Sequence, residues 1–315
     1  MNEDLTDCII CPKACHANRI SGSLGYCASG AGTSIAAIVA HHGEEPVISG
    51  KHGICNVFFT GCNLRCLFCQ NQQISRGDGR SVSAGGLLPA TANISSIEEA
   101  VSMIEKYLAQ GVQTVGFVSP SHVIPQVRSI IQAMQERGLK PVTVYNTNAY
   151  EKTETIRQLE GLIDVYLPDF KYISPELAGR YSGAPDYPEF AGKAIMEMYR
   201  QKGSYLFLNE EGLAERGLII RHLVLPGHTD ESIALLRYIA EEISTNIHIS
   251  LMSQYYPAGN INGYKNLQRT LQIEEYDRVQ DEMSRLGFRK GFIQEMDSQG
   301  HYRPDFTREH PFEKY

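Results

Sequence analysis

From residue 54 onward, short runs of β-branched and aromatic residues alternate with longer stretches whose apolar positions recur every three to four residues. The runs are ICNVFFTG (54–61), QTVGFV (113–118), PVTVYN (141–146), LIDVYL (162–167), LIIRHLVL (218–225), IHISLM (247–252) and KGFIQE (290–295). Each is short enough, and rich enough in Val, Ile, Phe and Tyr, to read as a buried strand. Between them, SIEEAVSMIEKYLAQG sets Ile97, Val101, Ile104 and Leu108 at helical spacing, with Glu98 and Glu99 in the first turn and Gly111 at the stop. VIPQVRSIIQAMQERG, ESIALLRYIAEEIS and EEYDRVQDEMSRLG read the same way. Strand–helix–strand repetition predicts βαβ units and a parallel sheet. Six or so units form an α/β fold, either a partial or full parallel (βα) barrel or an open doubly wound sheet, and periodicity does not choose between them.

The first 50 residues break this pattern. They are irregular and rich in Gly, Ser and Cys, with one strand at SIAAIVAHH (34–42). The expected division is therefore a cysteine-rich accessory segment, 1–50, and a main domain, 51–315, with a C-terminal extension. Residues 71–95, rich in Gly, Ser and Ala, read as a long loop at the open end of the sheet.

Composition narrows the function. The chain has 315 residues, 42% of them hydrophobic, and a formal charge of −7. That is enough for a large core, and the charge offers no phosphate-tracking stripe, so no nucleic-acid partner is expected. The start, MNEDLTDC, has the wrong charge for a secretory signal, and no apolar run is long enough to span a bilayer; a cytoplasmic protein with no membrane partner is expected. Thiols stay reduced in that compartment, so clustered cysteines point to metal or redox chemistry.

All eight cysteines lie between Cys8 and Cys69. Three fall in GCNLRCLFCQN (61–71): Cys62, Cys66 and Cys69. The spacing differs from paired zinc knuckles and from a ferredoxin run of four. A cuboidal iron–sulfur cluster takes one ligand per iron, so three thiolates leave one iron open. The triad also follows an apolar strand, at the end where parallel α/β folds place their chemistry. The bland alternative is a structural zinc site or three unrelated buried thiols.

The stretch resembles the signature of the radical S-adenosylmethionine (SAM) superfamily, including the aromatic Phe68 before the third cysteine. The resemblance implies a radical SAM-type barrel and a [4Fe–4S] cluster whose open iron is chelated by SAM. It also implies reductive cleavage to a 5′-deoxyadenosyl radical, and Phe68 against the adenine. Later segments are similar to the activating enzymes of glycyl radical enzymes and to pyruvate formate-lyase activating enzyme-like proteins. YNTNAYE (145–151) fits their Asn- and Thr-bearing turn with Asn146 and Asn148, LPDFKY (167–172) their D-x-K pair with Asp169 and Lys171, and IIRHLVLPG (219–227) their Arg-bearing strand with Arg221. The resemblance implies SAM contacts at Asn146, Asn148, Asp169, Lys171 and Arg221; a structural ion-pair network at the barrel mouth is the alternative. Arg221, inside an apolar strand, needs a partner if buried: Asp169 or the SAM carboxylate. The chain departs from the superfamily at GFVSPSH (116–122), where a Gly-Gly-Glu-Pro turn is usual; Ser119 and Ser121 offer hydroxyls instead, and His122 reads as a loop histidine.

The implied activity is hydrogen abstraction, with a glycyl radical enzyme as the favoured protein substrate and reduced flavodoxin or ferredoxin as electron donor. Modification of another protein, peptide or small molecule is the second reading, and a non-catalytic iron–sulfur or zinc protein the third. Cys8, Cys11, Cys15 and Cys27 make a second set of four, suited to zinc or a second iron–sulfur cluster. Cys55 reads as a core residue. HHGEEP (41–46), with His41, His42, Glu44 and Glu45, reads as a solvated turn rather than a metal site, and Gln254, Tyr255 and Tyr256 as residues at the substrate mouth.

Overall fold

A computed structural model describes residues 3–76, 94, 96–300, 303–308 and 310–312. The predicted loop at 71–95 therefore lies mostly outside the described residues. The strands are β1 (Ile35–His41), β2 (Ile54–Phe59), β3 (Thr114–Val118), β4 (Val142–Thr147), β5 (Val165–Pro168), β6 (Phe207–Leu208), β7 (Ala214–Leu223), β8 (His248–Met252) and β9 (Gly291–Ile293). Among the described residues they form one sheet in the order β1-β2-β3-β4-β5-β7-β8-β9, with β6 antiparallel on β7. β1 is antiparallel to β2, and all pairs from β2 to β9 are parallel.

Because the parallel strands follow chain order, every crossover advances the same way and the helices accumulate on one face. The sheet curls and stays open: β1 and β9 are its two ends. This is the partial barrel, and the choice that periodicity left open is made. The chain after β9 returns to the other edge, where Phe306 and Phe312 pack on Phe58 at ring separations of 5.2 and 5.5 Å and Phe312 meets His41 at 4.1 Å. Phe306 is almost fully buried, worth about 1.5–3 kcal/mol to that closure.

Strand alternation sorts the side chains. Cys55, Val57 and Phe59 of β2, Tyr145 of β4, Tyr166 of β5 and Ile220 of β7 join the large core shared with the helices. Ile54, Val144, Val165, Leu167 and Ile219 form a second cluster with Ile48, on the concave side. Along that concave side the apolar positions give way to polar ones toward the strand ends: Val144 to Asn146, Leu167 to Asp169, Ile219 to Arg221.

The helices start where their sequence says. Ser96 caps helix Ile97–Ala109, its hydroxyl accepting from Glu99 N–H at 3.1 Å, and Glu98 and Glu99 sit in the first turn. Two helices, Pro175–Ser182 and Tyr187–Lys202, were not foreseen. The second buries Glu197, Gln201 and Lys202 beside Ala194, Ile195 and Met198, which blurs its polar–apolar period. Those polar groups are satisfied: Gln201 accepts from Tyr166 OH at 2.8 Å, and Lys202 donates to Ile163 O at 2.5 Å.

The N-terminal segment is packed onto the barrel. Leu5, Cys8, Ile10 and Ala17 belong to the main core. Arg19, 1% exposed, donates to Gly30 O at 2.7 Å and to His122 O at 2.7 Å, tying the segment to the turn after β3. No helix of the described residues is long and apolar enough to cross a membrane.

Candidate metal centre

The strand ends open on a cavity of about 1100 Å³. Cys62, Cys66 and Cys69 line it together, with Phe68, Ser119, Asn146, Asn148, Asp169, Lys171 and Arg221. Every site residue predicted from the cluster stretch and the later motifs is therefore brought to one space, except Ser121. That side chain is fully buried, its hydroxyl bonded to Thr147 Oγ1 at 3.2 Å and Asn148 Oδ1 at 3.4 Å; it positions the turn and does not reach the cavity.

The cysteine loop is held by its neighbours. Gly61, at φ +79°, has no room for a Cβ, which would meet Cys27 O at 2.3 Å. Asn63 donates to Tyr150 O at 2.7 Å and accepts from Asn148 at 2.8 Å. Leu67 N–H donates to Tyr181 O at 2.9 Å. Two non-glycine residues in the left-handed region, Ser119 (φ 51°) and Ala149 (φ 62°), flank the same space, a strain that persists where surrounding structure over-determines it.

Each sulfur of the triad has a polar neighbour. Cys62 Sγ faces Leu64 N–H at 3.4 Å and Asn148 Nδ2 at 3.5 Å, Cys66 Sγ accepts from Ser182 Oγ at 3.0 Å, and Cys69 Sγ lies 3.4 Å from Ser75 Oγ. Burial pushes the Cys62 and Cys66 thiols up, and the nearby Lys171 pulls in the opposite direction. Thiols in this state ionise on binding metal, because a coordinating thiol loses its proton outright. The donors then stabilise the charge left on sulfur. Among the described residues no three His, Cys, Asp or Glu side chains are gathered tightly enough for a single metal ion. A cubane spreads its ligands over separate irons, so the donor set and the shared cavity fit a cluster.

Asp169, Lys171 and Arg221 form one buried network. Arg221 donates from Nε to Asp169 Oδ1 at 2.9 Å, from Nη1 to Glu44 Oε2 at 2.8 Å and from Nη2 to Asn146 Oδ1 at 2.7 Å. Lys171 Nζ donates to Asp169 Oδ2 at 2.6 Å. Tyr187 OH bridges the turn, donating to Asp169 O at 2.6 Å and accepting from Lys171 N–H at 3.0 Å. Burial pushes the Asp169 carboxyl up, but Arg221 and Lys171 outweigh it and hold it below the usual range. Burial likewise pulls Lys171 down, and Asp169, helped by Cys66, returns it above its ordinary value.

The partner of Arg221 corrects one reading. HHGEEP is not a solvated turn. Glu44 accepts from Arg221, from Asn56 at 3.1 Å and from Asn146 at 3.2 Å, while Glu45 and His41 are each 8% exposed and line the cavity. An apolar-strand arginine needed more countercharge than Asp169, shared with Lys171, supplies. The turn after β1 brings it. His122 is a histidine of the turn after β3, as read from the sequence, but its ring is buried: its Nε2 lies 2.9 Å from Thr60 O, and burial pushes it down to about 4. Of the mouth residues, Gln254 lines the cavity, while Tyr255 is buried behind Phe68 at 5.8 Å.

Residues 48–177 match the family model described as a 4Fe-4S single cluster domain, and they contain the triad. The triad therefore lies inside a segment similar to a 4Fe-4S cluster domain, and its donor set and shared cavity fit such a cluster. The chain is 28% identical over 276 residues, 87% of its length, to the uncharacterized protein MJ0674 of Methanocaldococcus jannaschii, covering 73% of that protein. Among solved structures it is similar to native anSMEcpe with bound AdoMet (14% identity, 75% of this chain and 61% of that one, TM-score 0.49). It is also similar to Streptococcus suis SuiB bound to S-adenosylmethionine (16%, 74% and 48%, TM-score 0.45). A third likeness is to a domain of pyruvate-formate lyase-activating enzyme from Bacteroides vulgatus (14%, 55% and 93%, TM-score 0.39). The chain spans about half the length of the SuiB chain, 48%.

The amino-terminal cysteines lie near one another without lining this cavity. Cys8, Cys11 and Cys27 are buried and Cys15 is exposed. Burial pushes the Cys11 thiol up to about 12, reinforced by Cys27, while backbone N–H groups of Ala17 and Tyr26 outweigh burial at Cys15 and lower it. Cys55 is a buried core residue of β2, pushed up to about 12 by burial alone.

Proposed function

We propose that the chain holds a SAM-chelating cluster on Cys62, Cys66 and Cys69 and abstracts a hydrogen atom from a substrate in the cavity above it. The observation that carries this reading is the convergence of the triad, Phe68 and the Asp169–Lys171–Arg221 network on one cavity. When bound, the cluster supplies the electron that cleaves SAM to a 5′-deoxyadenosyl radical. The chain's own residues bind and orient. Lys171 offers a fixed positive charge to a carboxylate, Asp169 and Asn146 offer acceptors for an amino group or ribose hydroxyls, and Phe68 offers a flat apolar wall. The curled sheet and the returning C-terminal residues screen the cavity, which limits quenching by water.

The favoured substrate is a backbone glycine of a partner enzyme, read from the resemblance to glycyl radical activases, with reduced flavodoxin or ferredoxin as donor. A second reading is a peptide or small molecule. It is supported by Phe306 and Phe312, which pack on His41 of β1 and Phe58 of β2 and narrow the open side of the barrel. Of the two metals expected at Cys8, Cys11, Cys15 and Cys27, a second cluster is part of the proposal, since no three of these side chains are gathered tightly enough for a single zinc ion.

Anaerobic reconstitution with iron and sulfide, then dithionite and SAM, is expected to yield 5′-deoxyadenosine. Replacing Cys62, Cys66 or Cys69 singly by Ala is expected to remove one cluster's worth of iron and all SAM cleavage, whereas Cys55→Ala keeps both. Absence of 5′-deoxyadenosine from fully reconstituted protein would leave a non-catalytic iron–sulfur protein as the answer. Electron paramagnetic resonance on mixtures with candidate glycyl radical enzymes separates the substrate readings, since a persistent protein radical is expected only for the first.

A further inference from the structure

The turn from β1 into the concave face sets two buried polar atoms against the cavity without a partner. Glu45 and His41 are each 8% exposed, and both line the cavity. Glu45 Oε2 and His41 Nδ1 have no hydrogen-bond partner among the described residues. Leaving a buried polar group unpaired costs about 1–3 kcal/mol, so two such atoms on residues that line one cavity call for a ligand.

The charge count around them indicates which kind. Arg221 and Lys171 are matched by Glu44 and Asp169, two against two. Glu44 is saturated by Arg221, Asn56 and Asn146. Glu45 stands outside that balance, with the Ser250 hydroxyl and the Arg221 and Glu44 charges as its neighbours; burial pushes its carboxyl up despite Arg221. An ionised Glu45 therefore lacks a cation of its own. An anion entering here would meet two carboxylates, whereas an N–H-bearing cation would complete both Glu45 and His41. The walls beside them are apolar: Phe58, Met252, Phe292 and Phe312. Phe312 covers His41 in a tilted ring contact at 4.1 Å, so what reaches this end is a narrow group on an apolar body, not a folded chain.

We propose that this end of the cavity is a subsite for the cationic nitrogen of the substrate, an amine or amidine on a small apolar body, with Glu45 as its acceptor and His41 beside it. The inference rests on the cavity being the substrate chamber of a radical SAM enzyme and selects the small-molecule reading.

The test is calorimetric titration of the full chain, cluster reconstituted and SAM bound, with benzamidine and with its neutral counterpart benzamide. Benzamidine is expected to bind at least about tenfold more tightly. Glu45→Gln is expected to weaken benzamidine by about ten- to hundredfold, the range for a hydrogen bond to a charged group, and to abolish the preference. In the wild-type protein, where no variant has to fold, the infrared difference spectrum on binding benzamidine should show a shifted carboxyl or carboxylate band that binding of benzamide does not produce. Equal binding of the two probes, a preference that survives in Glu45→Gln, or an infrared band unchanged by bound benzamidine overturns the subsite. Failure to bind benzamidine at all overturns it too and leaves water on the two atoms. Cleavage of SAM by the wild-type chain without any probe is scored separately, so a failed subsite and a failed radical SAM reading give different results.

Discussion

Replacing Arg221 by Met keeps its length and removes its charge. Its guanidinium is 13% exposed, Glu44 10% and Asp169 18%. With charge centres roughly 4 Å apart, each pairing is worth about 4 kcal/mol gross at an effective dielectric of about 20, and desolvation returns most of it. The pair's formation is therefore nearly neutral, but its half-removal is not. Breaking a buried pair by deleting one partner costs about 3–5 kcal/mol, because a charge is left uncompensated. Asp169 keeps Lys171 at 2.6 Å, so the loss falls on Glu44, left with two amide donors. The expected cost of Arg221→Met is thus near the low end, about 3 kcal/mol. Adding Glu44→Gln removes the stranded charge and should restore about 2 kcal/mol, so the double variant is more stable than the single one. Urea unfolding followed by circular dichroism at pH 7, without oxygen, measures both. A loss below about 1 kcal/mol for the single variant, or a double variant less stable than the single, would refute the account of the network as a charge balance.

Other expectations are as direct. His122 and His222 are buried, and burial pushes each down to about 4. Their folded values lie below the unfolded value of about 6.5, so the unfolded chain takes up the proton first. The stability they represent is present above pH ~6.5 and is lost as pH falls from there to about 4, at most about 3 kcal/mol for each ring; denaturant midpoints that stay flat across that window would contradict it. Gly61→Ala should destabilise by more than about 1 kcal/mol and lower cluster incorporation, because its Cβ would strike Cys27 O at φ +79°; iron content and melting temperature report both.

What was legible in the sequence was local or periodic. The strands β2 to β5 and β7 to β9 were visible because each is a short apolar run, and the triad because its three cysteines lie within eight positions of one loop. Helix Tyr187–Lys202 was hidden because it buries a glutamate, a glutamine and a lysine, whose acceptability depends on Tyr166 and Ile163 from other elements. Ser121 and Ser119 are two residues apart and equally polar, yet only the second faces the cavity; the direction of a turn is set by what packs behind it.

The sequence by itself determined the repeating strand–helix pattern, the grouping of Cys62, Cys66 and Cys69 in one loop, and the Asp169, Lys171 and Arg221 charges at strand ends. Period two and period 3.6 are written in neighbouring residues, and ligand type is written in single ones. Only the tertiary structure decided that the sheet stays open, that its open side is narrowed by residues near 312, and that Glu44 and Glu45 turn inward. Glu44 meets Arg221 across 177 positions, and no local signal distinguishes a carboxylate bound for solvent from one drawn to a buried guanidinium that a distant strand supplies.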